Sequence, residues 1–152
     1  MSDLIFEHQP KIIWQVRGLT LAGALPFLMA LLVMIFPQNG IDGAYIATSY
    51  ATLIISFLSG TLWMQALKAS DTTLSPLLIK SNIVTLVAWA ALLFLPIIGT
   101  LALHALCFLY LFFLDHDLFK RGYVPRWYYT IRRTITLIVV SLLLLLIGAL
   151  SF

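Results

Sequence analysis

Charge is what this chain has least of. Of its 152 residues, 10% are Asp, Glu, Lys or Arg and 62% are hydrophobic. A soluble domain carries roughly a quarter charged residues, so there are too few here to solvate a surface. With a mean hydropathy of +1.04, most of the chain must have lipid as its solvent. Cysteine is almost missing as well. Cys107 stands alone, which excludes an intramolecular disulfide and a cysteine-based zinc site within one chain. No small-residue cleavage site precedes the first apolar run, and Asp3 and Glu7 lie ahead of it. The first span is therefore expected to act as an uncleaved signal anchor, not as a removable signal or transit peptide.

Long apolar runs are what the chain does have. About 20 mostly apolar residues cross the hydrocarbon of a bilayer as a helix. The first run, TM1, covers 18–36 and ends at Pro37 and Asn39-Gly40; TM2 covers 43–67 and is closed by Lys68, Ser70 and Asp71. From Leu77 to Leu114 the chain is almost uninterruptedly apolar, with Lys80, Asn82 and His104 as the strongly polar exceptions. As one helix this stretch would be on the order of 57 Å long, too much for one crossing. Pro96 and Gly99 supply a turn, dividing it into TM3 (77–95) and TM4 (98–114). A polar stretch, 115–133, reads as an inner interfacial loop. TM5 covers 134–152, with its helix able to begin as early as Trp127. The expectation is an all-α integral membrane bundle of five transmembrane helices in one domain, 1–152, with TM1 bent at Pro26.

The basic residues orient it. Lys11 and Arg17 precede TM1, Lys68 and Lys80 flank the TM2–TM3 connection, and Lys120, Arg121, Arg126, Arg132 and Arg133 follow TM4. All nine fall on one side, which the positive-inside rule makes the inner side. The N-terminus is then inside and the C-terminus outside. The net charge of +3 comes from these flanks and not from a basic face, so nucleic acid is excluded as a partner. Anionic lipid is the expected partner of the inner loop, where aromatic residues sit at headgroup depth and each cation gains about 1 kcal/mol.

Ionisable residues inside a span are functional candidates, because burying them is costly. The predicted spans hold no interior Asp, Glu or Arg, and His104 is the lone interior titratable group. A haem ligand or proton relay is one reading of it; a neutral imidazole hydrogen-bonded to a neighbouring helix is the favoured one. A two-histidine haem would need a partner, and His8 and His116 both fall on the opposite side. Asp115, His116 and Asp117 are adjacent and do not converge as a metal set, so no metal and no catalytic constellation is predicted. Asp115 is instead expected to pair with Arg132 and staple TM4 to TM5. On TM2, Tyr45, Ser49, Thr52, Ser56, Gly60 and Trp63 share one helical face. Ser49, Ser56 and Gly60 on it predict a helix-packing seam. Trp63, Trp127, Tyr128 and Arg132 form a candidate pocket at the inner interface, with aromatic walls and one cation suited to a quinone or a phospholipid headgroup.

Three stretches resemble a known family. They are Leu21-Ala-Gly-Ala-Leu-Pro26-Phe27, the segment from Tyr50 through Ser56-Phe57-Leu58-Ser-Gly60 to Trp63, and Pro125-Arg-Trp127-Tyr128-Tyr-Thr-Ile-Arg132 followed by Ile135-Thr136. Together they are similar to the small membrane proteins grouped as domain of unknown function 3429, which include transmembrane protein 69. The likeness covers about residues 18 to 152 and implies five helices and an inner membrane, bacterial cytoplasmic first and mitochondrial second. It implies no activity. Where the family's second motif tends to read Gly-Gly-x-His-Trp-Gly, this chain has Ser59-Gly60-Thr61-Leu62-Trp63-Met64, which excludes a histidine-dependent site there.

The leading expectation for function is an accessory or assembly subunit of a larger membrane complex in an energy-transducing inner membrane, a respiratory complex being one candidate, with a membrane-protein partner. Tiny extramembrane mass, small-residue faces and the lack of buried charge motivate it. A lipid- or quinone-binding module is the alternative. A transporter or membrane enzyme ranks last, because neither a charged midplane nor a nucleophile with a base is visible.

Overall fold

The computed structural model describes residues 10–36, 40–69 and 72–151. His8, Pro37, Asn39, Ser70, Asp71 and Phe152 lie outside the described residues. Among the described residues six α-helices follow in order: α1 (Pro10–Ala22), α2 (Leu25–Ile35), α3 (Gly43–Lys68), α4 (Pro76–Phe94), α5 (Ile97–Lys120) and α6 (Arg126–Ser151). With α1 and α2 taken together, five helices are long and apolar enough to cross a membrane. The architecture is an all-α bundle. α3 and α5 pack against each other at its centre, α4 closes one side, and α6 and α2 close the other. Ala47, Ala51, Ile55, Leu101, Phe108 and Leu143 fill the middle.

TM1 is broken and not merely bent. α1 ends at Ala22, and α2 starts after Gly23 and Ala24, whose carbonyl accepts from Phe27 and Leu28 N–H at 3.2 Å. Pro26 falls within the first turn of α2, where its missing N–H costs no helical bond. The break therefore lies just ahead of the proline, at the glycine. Asp42 starts α3 by accepting from Ala44 and Tyr45 N–H at 2.8 and 3.2 Å, satisfying two donors the helix end would leave open. At this point the α2 and α3 backbones nearly touch. A Cβ on Gly43 would collide with Ala30 O and sit 2.7 Å from Met34 Cγ.

The turn between α4 and α5 is as short as predicted and falls one residue earlier. Leu95 and Pro96 make it, and Gly99 already lies inside α5, where a Cβ would meet ordinary contacts at 3.7 Å. Thr100 Oγ1 donates back to Ala91 O at 2.9 Å and ties the two helices.

The largest correction concerns the inner loop. The stretch 115–133 is mostly helix, and only residues 121–125 connect α5 to α6. The composition of this stretch reads as loop, yet polar residues continue a helix readily; backbone geometry ends it. Gly122, at φ +78°, lets the chain reverse. Gly122 N–H donates to Phe119 O and Tyr123 N–H to Leu118 O, both at 3.0 Å, the paired bonds of a Schellman end. Pro125 then opens α6, accepting from Tyr129 N–H at 3.2 Å. Asp115 and Arg132 consequently lie within helices, and both are buried.

The packing seam on α3 is also rotated from its predicted place. Its buried face carries Ala44, Ala47, Ala51, Ile55, Ser59 and Leu62. Gly60 is exposed with open space around it, while Ser49 and Ser56 are half-buried at the edge. Polarity misled here. Ser49 Oγ donates to Tyr45 O at 2.7 Å and Thr52 Oγ1 to Thr48 O at 3.0 Å. Hydroxyls satisfied by their own helix need no neighbour, and close approach selects smallness, which alanine supplies.

His104 is fully buried between three helices. Its Nε2 lies 3.0 Å from Ala88 O on α4 and 3.3 Å from Thr52 Oγ1 on α3. A carbonyl can only accept, so Nε2 carries a proton and ties α5 to α4.

Candidate functional site

α6 turns one line of polar side chains toward the inside of the bundle. Tyr128, Arg132 and Thr136 recur every four residues, so they stand one above another on a single face. That face borders a cavity of about 400 Å³ at the basic end of the bundle. Thr20 and Gly23 wall it from the first span, Phe57 and Thr61 from α3, and Phe108 from α5. Ile135 beside the polar line and Val139 beyond it supply the apolar part of the α6 wall. The result is a space with hydrogen-bonding groups along the α6 side and, apart from Thr20 and Thr61, hydrocarbon on the others.

Arg132 is the centre of the polar side. Its Nε donates to Asp115 Oδ2 at 2.7 Å, with side chains only 7% and 3% exposed. This pair joins α5 to α6, and an ion pair at that depth survives only with good geometry. Nε is the one guanidinium nitrogen with a hydrogen bond among the described residues. Tyr128 lies close enough to feel both charges, and Thr61 is within hydrogen-bonding reach of its hydroxyl. One turn deeper, the Thr136 hydroxyl is buried and has no hydrogen-bond partner among the described residues. A buried donor left unmade costs about 1–3 kcal/mol.

On the far side of the α5–α6 contact, a ring stack fixes the same joint. Tyr129 lies 4.4 Å from Phe119 at 8° and 5.7 Å from Phe112 at 20°, and its hydroxyl meets His116 Nδ1 at 3.0 Å. Arg121 and Asp117 pair at 2.9 Å, but both are nearly half exposed, and such pairs contribute little.

Of the four residues predicted to share a pocket, Tyr128 and Arg132 line the cavity. Trp127 and Trp63 do not. Trp127 meets Tyr128 edge-on at 6.1 Å and 89°; one residue along a helix turns by about 100°, so the two cannot face one space. Trp63 is 40% exposed and stands two residues beyond Thr61, on nearly the opposite face of α3. Sequence reasoning missed Thr20, Thr61 and Thr136. The signal for Thr136 was present, as the third member of the four-residue polar repeat on α6. Among the described residues no three His, Cys, Asp or Glu come together as a metal set.

A polytopic helix bundle with an amphipathic cavity at its basic end is the class these features define. The chain belongs to the family described as protein of unknown function DUF3429, whose profile matches residues 12–148 and so takes in all five spans. No curated protein and no solved structure matches it.

Proposed function

We propose that this protein is a binding module for an amphipathic small molecule drawn from the bilayer. One observation carries the reading: a cavity whose polar line (Tyr128, Arg132, Thr136) faces apolar walls. At about 400 Å³ it falls within the range of small-molecule sites, which are mostly apolar with a few placed polar groups. The groups on offer donate hydrogen bonds, and the lining residues include no carboxylate or imidazole to act as a base. Binding, not turnover, is what they suit. α1 forms the outer wall and is itself well exposed, with Trp14 and Leu19 about 70% and 76% open, so the lipid side is the natural route of access. The test is native mass spectrometry of the chain extracted gently from its own membranes. A discrete small adduct, lost from a variant carrying Tyr128→Phe and Thr136→Val that keeps the Asp115–Arg132 pair, is the expected result. An unmodified chain in every preparation would overturn the reading.

An accessory or assembly subunit of a respiratory or other membrane complex is the second reading. It is favoured by the exposed Gly60, around which there is room for another helix. Small residues let helix backbones approach closely in lipid. Under either reading the nine Lys and Arg support an N-terminus on the inner side of a bacterial cytoplasmic membrane or its mitochondrial counterpart, with anionic lipid around them.

A further inference from the structure

The cavity's occupant can be narrowed by its charge and spacing, an argument that rests on the amphiphile-binding reading above. Arg132 would suit a phosphate if it were free, but it is not. Asp115 already holds its Nε at 2.7 Å, so the polar line is electrically neutral. An anionic headgroup would have to share a compensated cation and approach a buried carboxylate, at the cost of its own desolvation. A neutral head loses little on entering and meets donors throughout. Those donors come in two stations. The terminal guanidinium nitrogens of Arg132, with Tyr128 and Thr61 beside them, form the first. The unpartnered Thr136 hydroxyl forms the second, about 6 Å further along the α6 axis.

We propose that the cavity takes an uncharged amphiphile whose ring head carries two acceptor oxygens on opposite sides, the chemistry of a membrane quinone. One carbonyl accepts from Arg132 and the other from Thr136. The tail lies against Phe57, Phe108 and Val139 and leaves beneath α1. Occupation gives the Thr136 hydroxyl the partner that the protein withholds from it.

The probe is a benzoquinone with a decyl tail, titrated onto the detergent-solubilised full chain and followed by native mass spectrometry. Saturable one-to-one binding is expected. Thr136→Val keeps the shape of the side chain and removes its hydroxyl, so it should weaken binding about fivefold with no loss of thermal stability. Thr136→Ser should restore the binding. Should the valine variant fail to fold, Tyr128→Phe provides the same comparison at the first station. Quinone binding untouched by either substitution overturns the proposal. So does displacement of the quinone by excess phosphatidylglycerol; in that case the occupant is an anionic lipid, and the amphiphile-binding reading survives. If neither probe binds and gently extracted protein carries no adduct, that reading falls as well.

Discussion

At the end of the bundle where α2 meets α3, nothing is left over. The Gly43 backbone lies against Ala30 O, Thr100 Oγ1 closes the α4–α5 turn on Ala91 O, and Phe27 and Ala30 are fully buried. The basic end is built differently. There α5 and α6 are joined by an ion pair and a ring stack, and between α1, α3 and α6 the packing opens into a cavity. Close backbones and small side chains give van der Waals contact and little else, which suits a fixed joint in lipid. Polar groups beside unfilled space are expensive there and have to be accounted for by what they do. The contrast separates a structural end from a binding end.

The Asp115–Arg132 pair offers the sharpest way to break the contrast. Arg132→Ala leaves Asp115 buried and unpaired, and should cost about 3–5 kcal/mol. Replacing both, as Asp115→Asn with Arg132→Met, removes the stranded charge and should recover most of that loss. Unfolding of the purified variants in detergent measures it. Equal losses for single and double variants would show that the pair is not what holds α5 to α6.

Gly43 tests the other end. Any side chain there must push α2 away from α3, and Gly43→Val should cost about 1–3 kcal/mol as overpacking, read by the same unfolding measurement. The cavity should not feel it. Loss of a bound adduct in this variant would mean that the two ends are coupled and the separation is false. His104, lying between them, should have a smaller effect. His104→Leu removes the bond to Ala88 O and should cost about 1 kcal/mol, the usual size of a polar contact between membrane helices.

How much of this could be read from the sequence depends on which physics wrote it. Length and hydropathy wrote the five spans, and the two ends of α3 and of α4 fall within a residue of where the apolar runs placed them. The Pro96 turn was legible because a double-length helix cannot fit a bilayer. What stayed hidden was orientation around the helix axis. A run such as that of α3 mixes apolar and small polar residues on every side, so the seam at Ala47, Ala51 and Ile55 has no contrast against which to stand out, and the serines draw the eye instead. The same difficulty split the predicted pocket: Trp127 and Tyr128 are neighbours in sequence and face different ways in space. Asp115 and Arg132 could be named as partners from their positions at two helix ends. Their burial could not, because the polar stretch between them reads as a loop, and the left-handed backbone at Gly122 that stops the helix leaves no mark in hydropathy.

The smallest expected effect is the one that divides the two functional readings. Gly60 is exposed, and a side chain added there meets nothing within 4 Å. Gly60→Leu should therefore leave the stability of the purified chain unchanged within a few tenths of a kcal/mol, and leave any adduct in the cavity in place, since Gly60 is not among the residues lining it. In its own membrane the outcome differs between readings. A partner helix seated on this face requires the absence of a side chain, because close backbone approach is what small residues permit. Leucine would then dissociate the complex on a native gel while the isolated protein remained folded. If the chain migrates as wild type does, Gly60 faces lipid alone, and the basic end carries the function by itself.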